Sequence, residues 1–274
     1  MGEASEDSAP YFATAILPHY HGPLVKINIK PSNHEFTISK QLICAESEVF
    51  SAMLEGQVKD CQDMIADLEE MEYVVSVRSI QALIQWLYRR IINFDIEDPR
   101  EHITAAMELV RLADKYNIVG LKTTMAQYIR EIIISNPHPD TDFFGPPVDT
   151  HTYWMDREHI ISATFLPREH PVRRTIAAAS VAGYLRSDDY KFIEETHLYP
   201  SFAADLLLEV GSALDRPESM PGGGTFEDPI SGKILALDRV TPKKKLHLKE
   251  QKDQQGDYFP VGLALGWRFV QLDI

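Results

Sequence analysis

Ten histidines and forty-one acidic residues supply ample titratable chemistry, so spacing has to decide whether any of it is organised. Asp140-x-Asp142 with Gly145 begins like a calcium loop. Its fifth position is Phe144 and its twelfth is His151, where oxygen ligands are required, so that reading fails. Gly222, Gly223 and Gly224 follow Pro221 in a polar break rather than ending a strand, which favours a linker over a phosphate cradle. Cys44 and Cys61 have no histidine at ligand spacing. Cys44 reads as a small core hydrophobe and Cys61 as a loop thiol. His19-x-His21 reads as part of a solvated N-terminal segment. No Gly-x-Ser-x-Gly elbow, Walker loop, His-Glu-x-x-His or paired Cys-x-x-Cys occurs. The expectation is a non-enzymatic chain with no catalytic residue, no metal site and no cofactor. What remains is recognition of other proteins. Trp86, Tyr88 and Tyr116 stand at helix ends and could anchor an interface, with core packing the equal alternative for each.

The charge balance narrows the partners. The 274 residues carry a formal charge of −14, with the acidic excess lying before residue 217. An acidic surface repels phosphate, so neither nucleic acid nor an anionic membrane is expected to bind. The one basic run, Pro242-Lys243-Lys244-Lys245, is followed by Leu246. It lacks aromatic interleaving and reads as a solvated face before a nuclear address. An acidic start, no long apolar window and two cysteines fit a soluble protein of the nucleus or cytoplasm.

The elements that must position these residues follow from periodicity. Val25, Ile27 and Ile29 alternate with Lys26, Asn28 and Lys30, the pattern of a half-buried strand. Phe36 and Ile38 alternate likewise after Pro31-Ser32-Asn33, so the two segments predict a hairpin. Short helices are expected around 40–45 and 47–54, and Met64, Ala66 and Leu68 suggest a third strand. Val77, Ile80, Ile84 and Leu87 share one helical face. Ile103, Met107, Val110 and Ala113 share another, closed by Asp114-Lys115-Tyr116, and a further helix is expected at 121–133. The fold class is α+β, helices stacked on a small sheet. Residues 1–21 read as a tail, 22–134 as the first domain and 135–149, with its prolines, as a linker. Residues 150–214 form a helical region, and 215–274 a less ordered polar tail of unknown fold.

That order, with these residues, resembles the BTB/POZ domain, and specifically its fungal stand-alone relatives. The matching stretches are F-T-I-S-K-Q-L-I-C-A-E-S-E-V-F-S-A-M-L at 36–54, I-Q-W-L-Y at 84–88 and L-A-D-K-Y-N-I-V-G-L-K at 112–122. The family's Phe-x-x-His-Lys becomes Phe36 with Ser39-Lys40. Where the family often has Asp before the first strand, this chain has Leu24. The resemblance implies a charged pocket reduced to Lys40, with that lysine turned toward solvent, and an N-terminal strand exchange curtailed by Pro18. It also implies an interaction module that self-associates as a homo-oligomer. Many relatives bridge a target to a cullin ubiquitin-ligase scaffold, which makes an adaptor the leading expectation. A dimerising scaffold or transcriptional co-regulator without a ligase role is the alternative. In the adaptor reading, helices at about 76–88 and 100–116 supply an apolar patch with an acidic rim. Lys40, Trp86, Tyr88 and Tyr116 are the candidate protein-interaction residues.

Overall fold

The computed structural model describes residues 20, 22–55, 64–138, 151–186, 191–215 and 224–237. Cys61, His19, His21, the 140–145 acidic loop, Gly222 and Gly223, and the 242–245 lysines lie outside the described residues.

The strand pattern is realised as expected. β1 (Leu24–Lys30) and β2 (His34–Ser39) form an antiparallel hairpin, with Val25 opposite Ile38 and Ile27 opposite Phe36. β3 (Met64–Glu69) lies parallel to β1 on its other side, giving the order β2-β1-β3. Parallel pairing demands a crossover. It contains α1 (Lys40–Glu46) and α2 (Glu48–Glu55). Val25, Ile27, Ile29, Ile38, Ala66 and Leu68 are buried on one face. On the other, Lys26 pairs with Glu35 at 3.3 Å and Lys30 with Asp67 at 2.6 Å. Exposed pairs of this kind contribute little to stability.

α3 (Val77–Arg89) starts at a Ser76/Ser79 capping box. It buries Ile80, Leu83, Trp86 and Leu87 most deeply, with Val77 and Ile84 half-buried at the margin. The face is therefore rotated slightly from the expected one. α4 (Pro99–Lys115) has Asp98 as N-cap and Pro99 in its first turn. Beyond the expected Ile103, Met107, Val110 and Ala113, it also buries Ala105, Ala106, Glu108, Leu109 and Leu112. The reason is that α4 is wrapped by α3, by α5 (Leu121–Ser135) and by α6 (Arg157–Thr164). Its buried Glu108 is satisfied by the Arg78 guanidinium (3.1 and 2.6 Å) and the Ser76 hydroxyl (3.0 Å).

The helices after residue 150 continue the same apolar core. α7 (Pro171–Arg186) is buried over most of its circumference, packed by α5, α6 and α9 (Pro200–Leu214), with short α8 (Ile193–Leu198) leading into the last. Its Ala177-Ala178-Ala179-Ser180 run allows close approach of neighbours. Arg173, 7% exposed, bonds Asp205 at 2.8 and 2.6 Å and the Leu166 carbonyl at 3.0 Å. A buried guanidinium needs such full pairing.

Within the stretch expected to be a polar tail, β4 (Thr225–Glu227) and β5 (Ile234–Ala236) form a hairpin, with Phe226 and Ile230 buried in the core. Asp228 anchors it, accepting from Ser231 N–H (3.0 Å), the Ser231 hydroxyl and His151 Nε2 (2.8 Å). Burial raises the Asp228 carboxyl pKa, but these bonds outweigh it and hold the group below the usual carboxylate range.

Candidate interaction surface

Ser39 and Tyr88 join the second strand to the end of α3. Ser39, fully buried, caps α1 by accepting from Leu42 N–H. Its own N–H donates to the Tyr88 hydroxyl at 2.8 Å. The Tyr20 hydroxyl donates to the Tyr88 carbonyl, and the two rings meet edge to face at 5.3 Å. Tyr88 is thus half-buried and tied at both ends.

Trp86 is 4% exposed and Tyr116 is 7% exposed. Trp86 lies under the Arg90 guanidinium, 4.3 Å from the ring centroid, and Arg90 in turn binds Glu46. A Cβ on Gly120 would sit 3.4 Å from the Trp86 ring, and Gly120 has φ +83°, so glycine suits this tight corner. Tyr116 stacks on Phe50, and burial pushes its phenol pKa up. The Ser47 hydroxyl donates to the Tyr116 carbonyl, and Val119 N–H donates to the Glu46 carbonyl at 2.8 Å. Segments 36–54, 84–90 and 112–122 therefore meet in space. Their shared residues hold the α1–α2 corner against the ends of α3 and α4.

Lys40 departs from expectation. It is half-buried, and its ammonium donates to the Leu54 carbonyl at 3.3 Å, in the last turn of α2. The helix dipole favours a cation at that end, which removes the incentive to swing into water. Leu24 and Ser39 are register partners across β1 and β2, and Leu24 is 56% exposed. Leu24 supplies no carboxylate at the mouth of the reduced pocket. Cys44 is half-buried and packed against the core, in keeping with its hydrophobic reading.

Exposed apolar side chains occur at this corner, Leu24 and Val119 among them, and also beyond it. The segment between α3 and α4 presents Ile91, 45% exposed, and half-buried Phe94, followed in sequence by Asp95, Glu97 and Asp98. Phe94, His102 and Tyr128 pack edge to face, and His102 Nε2 bonds the Tyr128 hydroxyl at 2.7 Å. Burial lowers the His102 pKa. Sequence reasoning singled out none of Ile91, Phe94 and Tyr128. The signal available was Ile91-Ile92-x-Phe94, an apolar run placed just before the Asp98 cap. Among the described residues no group of three or more His, Cys, Asp or Glu could hold a metal ion. No described helix is long and apolar enough to cross a membrane.

A small mixed sheet crossed by short helices and backed by longer ones, with its aromatic residues spent on internal corners, makes an α+β unit. Residues 21–133 match the family profile described as the BTB/POZ domain. The chain carries a BTB/POZ domain over those residues, a non-catalytic protein–protein interaction module. No curated protein matches the chain.

Proposed function

We propose that this chain is a non-enzymatic adaptor, of the fungal stand-alone type, whose BTB/POZ domain joins a target protein to a cullin-type ubiquitin-ligase scaffold in the nucleus or cytoplasm. The observation that carries the reading is the segment at the α3–α4 junction, where exposed Ile91 and half-buried Phe94 are followed along the chain by the carboxylates of Asp95, Glu97 and Asp98. An apolar centre with a polar rim is the general anatomy of a protein interface. In this reading residues 22–134 hold the scaffold and the helical region at 150–214 serves as a platform beside it. Trp86, Tyr88, Tyr116 and Lys40 act from below by fixing the corner that presents the patch.

Mixing the purified full chain with the N-terminal part of a cullin and following co-elution tests the proposal. Co-elution that is lost on Ile91→Asp, with the melting temperature preserved, supports it. Failure to co-elute at micromolar concentrations, with homodimerisation persisting, favours the dimerising scaffold or transcriptional co-regulator, which uses the same domain for self-association.

A further inference from the structure

We propose that the cavity enclosed by α5, α7, α9 and the β4–β5 hairpin is a docking pocket for a partner peptide bearing a single carboxylate side chain, bound by Arg130. This goes beyond the adaptor reading and uses none of the 91–98 segment. The cavity is about 400 Å³. Arg130, half-buried on α5, donates from Nε and Nη2 to the Ile230 carbonyl at 2.9 and 2.6 Å. A neutral carbonyl satisfies hydrogens without neutralising charge. Among the described residues Arg130 makes no ion pair, whereas its neighbours Arg173 and Arg174 bind Asp205 and Glu209. A half-buried guanidinium without an anion is costly, and a carboxylate entering beside it recovers that cost with a charge-assisted bond.

The rest of the lining fits the same ligand. Pro171 brings the first turn of the sixteen-residue α7 to the wall, and the positive end of that helix favours an anion. Arg174 stands at the rim with its side chain 75% exposed. Ala126 and Ala178 leave an apolar floor for the stem of a glutamate. Two carboxylates line the cavity as well. Glu209 is paired with Arg174, and Glu227 on β4 adds a second carboxylate to a lining that disfavours a polyanion such as nucleic acid. One acidic side chain on an extended peptide is the charge the pocket can accept.

The test is an amide-shift titration of the full chain with the capped peptide acetyl-Ser-Ala-Glu-Ala-Ser-amide, its Gln counterpart, and sodium succinate. The Glu peptide is expected to shift the amides of Ala126, Arg130, Ala178 and Ser212 and to bind about tenfold more tightly than the Gln peptide. Arg130→Gln, which keeps a donor for Ile230, is expected to abolish that preference. Ser212→Trp blocks the mouth from an exposed position, leaves the Arg130 clamp intact and is expected to abolish binding. Equal binding of the two peptides, unchanged binding by Ser212→Trp, or shifts confined to other residues overturns the proposal. Succinate binding as tightly as the Glu peptide also overturns it, because the site then belongs to a small anion.

Discussion

The ring of Tyr116 lies stacked on that of Phe50, with centroids 4.7 Å apart and planes inclined by 20°. Phe50 comes from α2 and Tyr116 closes α4, so this contact ties the crossover between β1 and β3 to the helical layer. The Ser47 hydroxyl seals the same corner through the Tyr116 carbonyl while accepting from Phe50 N–H at 3.0 Å. Phe50→Ala removes a fully buried ring and is expected to cost about 3–5 kcal/mol. Urea denaturation of the full chain measures it, and wild-type stability would contradict the placement.

Tyr88→Phe tests the second corner. It deletes the acceptor for the buried Ser39 N–H and leaves that donor unpaired, an expected loss of about 1–3 kcal/mol. A loss near zero would mean that water enters to take the place of the hydroxyl.

Stability should depend on pH through buried histidines. Burial is the first cause that lowers the pKa of His159, which bonds Thr104 through Nε2 at 3.0 Å and accepts from Asp156 N–H through Nδ1 at 3.1 Å. Burial lowers His102 and His170 in the same way. A histidine whose folded pKa lies below its unfolded value of 6.5 binds fewer protons folded than unfolded in the interval between the two. Stability therefore falls as pH drops below about 6.5 and no penalty remains above it. Denaturation midpoints at pH 7.5 and 5.5 should show this slope. His159→Gln, which preserves the capping box, should flatten it.

The hairpin at 224–237 should open before the helices do. Asp228→Ala removes the acceptor of His151 Nε2 and the bonds to Ser231, leaving buried donors unpaired, a loss of about 1–3 kcal/mol for the hairpin. Limited trypsin digestion reads it out at exposed Lys233. Faster cleavage there, with α4 and α5 intact, is the expected result. Unchanged cleavage would mean that Phe226 and Ile230 hold the hairpin without the charged anchor.

Local pattern determined much of this protein. Alternation at 25–29 and 36–38 specified a hairpin, because side chains on a strand point to opposite faces and only one face was apolar. Apolar spacing marked the helices, and three short stretches carried the resemblance to a domain that residues 21–133 match. Periodicity, however, reports one face of one element. That α4 and α7 are buried nearly all round depends on helices that arrive from far along the chain. Trp86 and Tyr116 have the composition of interface anchors, yet α1, α2 and Gly120 close over them. Lys40 could have pointed to water until the α2 carbonyl end came within reach. The hairpin at 225–236 shows no strong local signal, since its two strands are three residues each. Its apolar Phe226 and Ile230 acquire a purpose only when α5 and α9 present a surface to bury them. Those outcomes were decided by the tertiary structure, because burial and charge pairing belong to pairs of elements and no single segment encodes both members.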